Sequence, residues 1–414
     1  MTYTLEPDFE RGVLKVRLDW QTGQRRRSVL SVSPQWGRIR NVPAMLRDVR
    51  FGGGTVGSGG PRWELTHQPE QTLHVEYVVD PQHGAFDDWD YTHHPITTRR
   101  FFHGMGNAFL MAPASARGIP ETFEVLLRWK LPAGYQAVCS WGVGRHVGAR
   151  LKAADVRHSV YLAGKLVTKS APLEDRIVTV AMVDAFGFDA DAFLKLTTRI
   201  IDAQCKFMHE TAFPDFVVTA VPVGRPLQPG ESRLSGSGLY NSFALFIAPE
   251  SKLTDAVEHL FAHELFHFWN GRILAAQEPE RRVYWFVEGV TDYYALRILY
   301  ESKIWSAATY VKWLNRHLRE YALNPARNAT NEEIDRLYWE RRATVGEVAY
   351  QRGLLLGLRW HYLARRKGVR DGFDRLFLSL VERARGGRFR ASNSAIRDAG
   401  IRLLGAWFGP EFDR

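Results

Sequence analysis

Apolar and polar residues alternate along the first part of the chain. The alternation has period two at 12–18, 72–79 and 122–129, and stretches rich in glycine and proline separate these segments. Because successive side chains of a β-strand point to opposite faces, the pattern predicts strands with one buried face. Residues 1–170 are therefore predicted to form an N-terminal antiparallel β-sandwich.

The hydrophobic pattern changes near residue 175. A continuous apolar run at 176–183 predicts a buried strand, and apolar side chains three and four positions apart predict a helix over 189–210. Two more strands are predicted at 216–223 and 243–248, and the second of them is placed at the rim of a sheet. Strands that alternate with helices indicate a mixed α/β segment.

From Thr254 onward the apolar spacing is helical. The first helix begins near Thr254, and the later ones are predicted at 284–302, 306–322, 331–340, 346–366, 371–384 and 392–404. The predicted fold class is therefore α+β with several domains. Its parts are the β domain at 1–170, a mixed α/β domain at 171–345 and a helical region at 346–414.

Length and composition narrow the possible classes of protein. The chain has 414 residues, 45% of them hydrophobic, which suits a globular protein of two or three domains. Its two cysteines, Cys139 and Cys205, exclude a disulfide framework and favour a reducing compartment. The first residues lack the features of a signal peptide, and no apolar stretch is long enough to span a membrane. We therefore expect a cytoplasmic protein without membrane association.

Positive charge is concentrated toward the end of the chain. The net charge is +10 and the isoelectric point is near 9.6, and after Arg359 basic residues outnumber acidic ones about two to one. Such an excess fits either an anionic partner or a helical surface rich in solvated arginines. No nucleic-acid-binding motif accompanies the charge, so no nucleic-acid partner is expected.

The strongest chemical signal is the stretch 263–267, His-Glu-Leu-Phe-His, on the helix that begins near Thr254. Histidines four positions apart lie one above the other on a helix face, so His263 and His267 can bind one tetrahedral zinc ion. Glu264 then faces the same site and can accept a proton from water. The pattern also occurs on buried amphipathic helices, so the structural interpretation remains open on this stretch alone.

A zinc peptidase needs a third protein ligand, and Glu288 is the candidate. It lies in an apolar helical stretch, where a carboxylate is costly unless it binds a metal or forms a salt bridge. Asp292 follows one turn later, where it either accepts the free N–H of a zinc-bound histidine or is a simple surface acid. Tyr350, one of fifteen tyrosines, is the candidate donor to the oxyanion that forms in peptide hydrolysis.

Three segments match motifs that occur together in one peptidase family. Residues 263–273 resemble H-E-x-x-H-x-W-N-x-x-R-I, with the arginine one place earlier. Residues 285–294 resemble W-x-x-E-G-x-T-x-Y-Y, and 350–353 resemble Y-x-K-G with arginine in place of lysine. The chain therefore resembles the glycyl aminopeptidase family of gluzincin zinc metallopeptidases, relatives of aminopeptidase N. The match in element order covers roughly residues 1–366.

The resemblance implies an N-terminal β domain, a thermolysin-like catalytic domain and a C-terminal helical region. It implies one zinc ion, the role of general base for Glu264 and transition-state stabilisation by Tyr350. The zinc ligands that it implies are His263, His267 and Glu288. It assigns no chemical role to Trp269 and Asn270, for which core packing is the default.

The sequence departs from the family pattern in two places. The family has a G-G-L-E-H type segment before the metal helix, whose glutamate holds the substrate's amino group, but residues 235–242 contain no acid. Gly238 or Tyr240 takes the place of that glutamate, depending on the alignment, and these two with Arg352 are the predicted substrate contacts. Too few residues follow Gly368 for the PDZ-like domain of many family members, so recruitment through such a domain is not expected.

These observations predict a zinc-dependent peptidase, an aminopeptidase that acts on short peptides. The missing acid leaves open the choice between removal of amino-terminal residues and internal cleavage. It also motivates an alternative, a protein that retains zinc and binds peptides or a partner with weak or no peptidase activity. The charge of the helical end motivates a third interpretation, binding of anionic polymers.

Overall fold

The computed structural model of the chain describes residues 1–57, 59–81, 92–114, 122–183, 186–223 and 233–414. The chain forms two compact units, of which the first comprises Met1–Thr198 and Phe213–Leu253 and the second Arg199–Ala212 and Thr254–Arg414. The first unit contains the β-sheets, and the second is helical. This mixture of largely antiparallel sheets with a helical C-terminal region confirms the predicted α+β class. The division of the sequence into three domains stays a prediction.

The described residues of the first unit form four β-sheets. The strands are β1 (Thr2–Asp8), β2 (Val13–Gln21), β3 (Arg27–Ser31), β4 (Leu46–Gly52), β5 (Thr55–Val56), β6 (Arg62–Thr66), β7 (Thr72–Val79), β8 (Ile96–Thr97), β9 (Phe101–Met105), β10 (Ala112–Pro113), β11 (Thr122–Trp129), β12 (Gln136–Cys139), β13 (Gly142–Val143), β14 (His146–Lys152), β15 (Val160–Gly164), β16 (Leu166–Leu173), β17 (Arg176–Val183), β18 (Phe216–Pro222), β19 (Leu234–Leu239) and β20 (Ser242–Ile247). Across the sheets the orders are β14-β11-β1-β2-β7-β4, β10-β3-β6-β5, β13-β12-β15-β9-β8 and β16-β17-β18-β20-β19. The strands predicted at 72–79 and 122–129 coincide with β7 and β11.

Most strand pairs of the predicted sandwich are antiparallel, but β1 and β11 run parallel. Thr2 lies opposite Leu126, and Leu5 lies opposite Trp129 in this pair. The prediction of a wholly antiparallel sandwich is therefore wrong at this pair. An alternating pattern determines which face of a strand is buried, but it carries no information about the direction of a partner far along the chain.

The sheet β13-β12-β15-β9-β8 is covered on both faces. In β15, Tyr161 and Ala163 pack in the hydrophobic core that also contains side chains of the first two sheets. Val160 and Leu162 pack in a second core with side chains of the fourth sheet. Because neighbouring residues on a strand point to opposite faces, a strand between two cores is apolar throughout. This arrangement explains why β15 is buried along its whole length.

The fourth sheet is mixed. Its central strands β17, β18 and β20 run parallel, while β16 and β19 join them antiparallel at the two edges. The strand predicted at 243–248 is β20, and its predicted place at the rim is wrong, because β19 forms that edge. The sequence of β19, Leu-Ser-Gly-Ser-Gly-Leu, has too weak a hydrophobic pattern to be recognised as a strand.

The helices lie close to their predicted positions. They are α1 (Ala153–Arg157), α2 (Ala190–Met208), α3 (Asp255–Phe266), α4 (Thr291–Glu301), α5 (Ala307–Leu323), α6 (Asn331–Leu337), α7 (Glu347–Arg366), α8 (Gly372–Ala384), α9 (Asn393–Leu404) and α10 (Phe408–Phe412). The π-helical turns Trp285–Val290 and Arg342–Gly346 lead into α4 and α7, where the sequence predicts uninterrupted helix. Among the helices in the described ranges, none is both long and apolar enough to span a membrane.

Aromatic rings pack the second unit around α3. The ring of Phe266 stacks on Tyr294 with 5.2 Å between ring centres and on Phe377 with 5.5 Å. All three side chains are fully or almost fully buried. Such ring pairs contribute about 0.5–1.5 kcal/mol each beyond the burial of their area. They hold the C-terminal end of α3, which carries the candidate chemistry, against α4 and α8.

A fully buried histidine, His103 of β9, lies in the first unit. Its ring is edge-on to Phe246 with 5.1 Å between ring centres, and neither ring nitrogen has a hydrogen-bond partner among the described residues. Burial lowers the pKa of His103 to about 3. The ordinary value for an unfolded chain is about 6.5. The folded protein therefore holds this imidazole neutral.

We predict that His103 makes the fold sensitive to acid. Below about pH 6.5 the unfolded chain binds a proton at this position and the folded chain does not, so stability is lost as the pH falls toward 3. Between pH 7.5 and 5.5, the free energy of unfolding in urea should fall by about 1.4 kcal/mol more in the wild type than in His103→Leu. The control His146→Leu, at an exposed histidine, should follow the wild type. An equal fall in His103→Leu would contradict the prediction.

Candidate active site

The metal-binding pattern predicted from the sequence lies at the C-terminal end of α3. Two acidic residues in the first turn of this helix complement the positive end of its dipole. The helix ends at Phe266, and the backbone leaves helical geometry at Asn270 and Gly271. Gly271 has a φ of 146°, which disfavours any residue with a side chain. His263 therefore lies in the last turn of α3, and His267 follows directly after it.

Three potential metal-binding atoms converge on one point. The Nε2 atoms of His263 and His267 are 3.0 Å apart, and Glu288 Oε2 lies 3.3 Å from the first and 3.4 Å from the second. A tetrahedral zinc ion with ligands about 2.0–2.2 Å away separates its donor atoms by roughly 3.3–3.5 Å. The three side chains are therefore spaced like three corners of a tetrahedral metal site.

Acceptors hold the outer nitrogens of both histidines. His263 Nδ1 donates to Asp292 Oδ1 at 2.7 Å, and His267 Nδ1 donates to the carbonyl oxygen of Asn270 at 2.9 Å. Because a carboxylate and a carbonyl only accept, the proton of each neutral ring lies on Nδ1. Both Nε2 lone pairs then point into the space shared with Glu288, as metal binding requires.

The charges of these groups fit a bound cation. Burial lowers the pKa of His263, but the carboxylates of Asp292 and Glu288 outweigh burial and raise it well above its ordinary value. Burial raises the pKa of Glu288, yet His267 and His263 hold it well below its usual range. Two carboxylates thus stay ionised in a buried place beside imidazoles that attract protons. A divalent cation would replace those protons and neutralise the same carboxylates.

A second group of side chains, His259, His263 and Asp292, also comes close together. The nearest ring nitrogens of the two histidines lie 2.9 and 2.7 Å from the same atom, Asp292 Oδ1. Both distances are shorter than the edge of a tetrahedral zinc site, and of the two contacts only that of His263 has hydrogen-bond geometry. We therefore interpret His259 as a second neighbour of Asp292. The signal for it in the sequence is its position four residues before His263, on the same helix face.

Asn270 connects the end of α3 to the π-helical turn that carries Glu288. Its buried side-chain amide lies 2.8–3.2 Å from three acceptors. These acceptors are the carbonyls of Phe286 and Val287 and the hydroxyl of Thr291. The backbone carbonyl oxygen of Asn270 accepts a hydrogen bond from His267 Nδ1. Asn270 therefore orients His267 and positions the turn that carries Glu288. This role was not predicted from the sequence, which indicated only core packing for Asn270.

Trp269 anchors the same segment. Its indole N–H donates to Glu210 Oε2 at 3.0 Å, and Arg385 Nη2 donates to the same oxygen at 2.7 Å. Burial raises the pKa of Glu210, but the hydrogen bonds from Arg385 and Trp269 lower it below its usual range. A buried carboxylate with two such donors is stabilised, whereas an unpaired one is costly. The tryptophan of the motif thus combines core packing with a polar contact.

Two glycines of the sequence motifs let α7 approach the turn that carries Glu288. A Cβ atom at Gly353 would lie 1.7 Å from the carbonyl oxygen of Trp285 and 2.7 Å from the Cα of Gly289. A Cβ atom at Gly289 would lie 2.5 Å from the Cα of Gly353. Since either side chain would collide with backbone, only glycine fits at both positions. This close approach brings α7 and its Tyr350 to the metal-binding group.

Tyr350 lies beside His263. The centres of the two rings are 6.0 Å apart at an interplanar angle of 23°, and the Tyr350 hydroxyl is 3.3 Å from that of Tyr338. The guanidinium carbon of Arg342 lies 4.9 Å from the centre of the Tyr350 ring and 5.0 Å from that of Tyr338. Burial raises the pKa of Tyr350, so its phenol stays protonated and able to donate a hydrogen bond. Tyr338 and Arg342 were not among the predicted site residues.

The remaining predicted residues lie in three places. Glu264 is half-buried on α3, directly after the first histidine. Gly238 and Tyr240 lie in the first unit, at the end of β19. Arg352 of α7 donates to two backbone carbonyls of the loop 327–329. The functional roles of these four residues stay predictions.

Comparisons with known proteins find a matching family model and similar solved structures. A family model described as M61 glycyl aminopeptidase matches residues 256–343, which include both histidines, Glu264 and Glu288. Residues 256–343 of this chain therefore form a domain of the M61 glycyl aminopeptidase type. The family predicted from the three sequence motifs is thereby confirmed. Tyr350 lies beyond the matched residues, and its catalytic role stays a prediction.

Solved structures of an aminopeptidase N family protein and of an M1 zinc metallopeptidase are similar to this chain. An aminopeptidase N family protein from Idiomarina loihiensis has a TM-score of 0.77 at 16% identity, and the match covers 96% of this chain and 72% of that chain. The M1 zinc metallopeptidase from Deinococcus radiodurans has a TM-score of 0.60 at 16% identity, over 100% of this chain and 92% of that chain. A mutant of that enzyme bound to a Tyr-Ser-Ala substrate has a TM-score of 0.61 at 16% identity, over 100% of this chain and 92% of that chain. At this identity the similarity shows a shared fold. No curated protein matches the chain in sequence.

We predict that Asn270→Ala weakens metal binding. The change removes the donors to the turn of Glu288, so the carboxylate loses its position relative to His267. The dissociation constant for zinc, measured by competition with a chelator, should rise about 10- to 100-fold. Asn328→Ala, at an exposed asparagine of the second unit, should keep the wild-type value. An unchanged constant in Asn270→Ala would show that Glu288 is positioned without Asn270.

Proposed function

We propose that this chain is a zinc-dependent peptidase that hydrolyses peptide bonds with activated water, acting as an aminopeptidase on short peptides. The observation that carries the proposal is the convergence of His263, His267 and Glu288, with 3.0–3.4 Å between their donor atoms. The match of residues 256–343 to the M61 family model and the fold shared with M1 metallopeptidases support the same reaction class. The proposal includes one zinc ion and a thermolysin-like arrangement of the catalytic part.

The two Nε2 atoms and the Glu288 carboxylate would hold the zinc ion. Bound there, zinc would supply Lewis acidity, which makes water reactive near neutral pH and polarises the scissile carbonyl. Asp292 and the carbonyl of Asn270 keep the rings of His263 and His267 in the tautomer that this requires. Three protein ligands leave a fourth tetrahedral position open for water or substrate.

Glu264 and Tyr350 are the residues of this chain that would handle the reacting groups. Glu264 follows a zinc ligand on α3, and it takes a proton from the attacking water and passes it to the leaving amine. The phenol of Tyr350 donates a hydrogen bond to the carbonyl oxygen as that oxygen gains negative charge. The hydroxyl of Tyr338, 3.3 Å away, helps to fix the orientation of the Tyr350 hydroxyl.

The aminopeptidase part of the proposal follows from the family and from the mutant relative bound to the tripeptide Tyr-Ser-Ala. The described strand β19, Leu234–Leu239, contains only leucine, serine and glycine. It therefore offers no carboxylate to a substrate ammonium group. A charge-assisted hydrogen bond, which typically contributes ~1.5–3 kcal/mol, is absent from that strand. This absence favours a second candidate function, binding of peptides by a zinc-containing protein with weak or no turnover.

We predict that Glu264→Gln abolishes most of the peptide hydrolysis without loss of zinc. An amide cannot take the proton of the attacking water, so kcat should fall by about 10²- to 10⁴-fold. Zinc content, measured by atomic absorption, should stay at the wild-type level because the three ligands are unchanged. Glu258→Gln on the same helix is the control, since the amide oxygen can still accept from the Trp305 indole.

Two results would contradict the proposed mechanism. Full turnover by Glu264→Gln would exclude this glutamate as the base. A wild-type protein that binds zinc tightly but cleaves no member of a broad peptide library would favour the second candidate, peptide binding without hydrolysis.

We predict a modest preference for substrates with a free amino end. A blocking acetyl group adds bulk, which should slow cleavage of the blocked peptide. Because β19 has no carboxylate to bind a free ammonium group, kcat/KM for the free peptide should exceed that for the blocked one by less than about tenfold. The measurement compares kcat/KM for one tripeptide in its free and N-acetylated forms. Faster cleavage of the acetylated form would argue against an aminopeptidase.

A further inference from the structure

Arg342 lies next to the proposed catalytic tyrosine in a place that the sequence motifs do not mark. It begins the π-helical turn Arg342–Gly346, and its guanidinium covers the rings of Tyr338 and Tyr350. A Cβ atom at Gly346 would lie 2.9 Å from Arg342 Cδ and 3.1 Å from Nη1. The glycine and the irregular turn therefore give this guanidinium the room to lie against the tyrosines.

The guanidinium is fixed in place but still accessible. Its Nη1 donates to Glu347, while Nε and Nη2 have no hydrogen-bond partner among the described residues. The Arg342 side chain is 34% exposed, so a ligand in solution can reach it. The guanidinium carbon lies about 5 Å from the centres of both tyrosine rings, and Nε and Nη2 are the N–H donors that a further acceptor could use. A planar fork of this kind suits a carboxylate, which can accept two N–H bonds.

The distance from the Arg342 guanidinium to the proposed metal site suits a short peptide. The centre of the Tyr350 ring lies 4.9 Å from the guanidinium carbon of Arg342 and 6.0 Å from the ring centre of the proposed zinc ligand His263. One extended residue spans about 3.5 Å, so a carboxylate one or two residues beyond the scissile carbonyl lies about 3.5–7 Å from it. The two ring distances place the guanidinium carbon at most about 11 Å from the His263 ring centre, so such a carboxylate can extend from the proposed metal site toward the guanidinium N–H groups.

We propose that Arg342 binds the C-terminal carboxylate of the substrate, which makes dipeptides and tripeptides with a free carboxylate the preferred substrates. The inference rests on the proposed peptidase function and deepens it. Glu347 pairs with Arg342 when no substrate is present, and the substrate carboxylate either shares the guanidinium with it or displaces it. Recognition at the carboxyl end gives the substrate a charged contact with the second unit.

The test compares free and amidated carboxyl ends on otherwise identical peptides. Alanyl-alanine, trialanine and their C-terminal amides are incubated with the zinc-loaded wild type and Arg342→Gln, and alanine release gives kcat and KM. In the wild type, kcat/KM for the carboxylates should exceed that for the amides about 10- to 100-fold, mainly through KM. In Arg342→Gln this ratio should fall to near one, while Arg341→Gln, at the exposed neighbouring arginine, should keep it.

The ratio of kcat/KM between free and amidated peptides distinguishes carboxylate binding by Arg342 from a structural effect of the substitution on Tyr350. A disturbed tyrosine would slow both members of each peptide pair equally, whereas loss of a carboxylate contact affects one member only. Glu347→Gln removes the internal competitor of the substrate, so it should leave the ratio unchanged or increase it. Zinc content and circular dichroism of each variant show whether it is folded, and Arg342→Lys, which keeps the charge without the fork, should give an intermediate ratio.

The outcomes distinguish this inference from the function on which it rests. A wild-type ratio near one, or a wild-type ratio that survives in Arg342→Gln, overturns carboxylate binding by Arg342 while peptide hydrolysis stands. If the wild type cleaves none of the peptides, the proposed peptidase function fails for this substrate class. Calorimetric affinities of the same peptides for the zinc-loaded protein then decide the inference, and equal affinities for carboxylates and amides overturn it.

Discussion

The candidate site depends on holding three electron-rich atoms face to face. The Nε2 atoms of His263 and His267 and the Oε2 of Glu288 lie within 3.4 Å of one another, which is favourable only when a proton or a metal cation lies among them. Hydrogen bonds on the far side of each ring make the arrangement possible. Asp292 and the carbonyl of Asn270 accept from the outer nitrogens, so each ring keeps one tautomer and one orientation. The folded chain thereby prepares the charge and geometry that a divalent cation completes.

The packing of the second unit maintains this arrangement. Asn270 links the end of α3 to the turn of Glu288, and Trp269 fixes the same segment through the buried Glu210. Contact between Gly289 and Gly353 brings α7 against that turn with no side chain between the backbones. Each motif residue for which the sequence offered only core packing thus acts on the position of a ligand. Substitutions at these residues should be poorly tolerated, because a shift of ~0.5 Å at a metal ligand weakens metal binding.

Irregular backbone occurs where the reacting groups are. The turn Trp285–Val290 presents Glu288, and the turn Arg342–Gly346 presents Arg342 to Tyr350. A π-helical turn contains one more residue than regular helix, so it redirects side chains that a continuous helix would point elsewhere. In the proposed function the two turns would separate the zinc ligand from the groups that recognise the carboxyl end of the substrate.

Much of the metal-binding group could be predicted from the sequence because its geometry is local. The spacing of His263 and His267 places two imidazoles on one helix face whatever surrounds the helix, and an isolated carboxylate in an apolar stretch marked Glu288. Residues that act through contacts with distant segments could not be found in this way. Asn270 bonds to a turn some sixteen positions later, and Arg342 acquires its role only when α7 packs beside α3.

The fold, like the site, has features that the sequence predicts and features that depend on tertiary packing. Periodicity in the sequence determined the strands β7 and β11 and the approximate bounds of the helices, because a repeating pattern records which face of an element is buried. The tertiary structure decided the parallel pairing of β1 with β11 and the addition of β19 at the sheet edge. It also decided which polar atoms meet at the metal site. Strand partners are determined by the packing of whole cores, and polar contacts by the need to pair buried polar groups. Neither requirement produces a periodic pattern in the sequence.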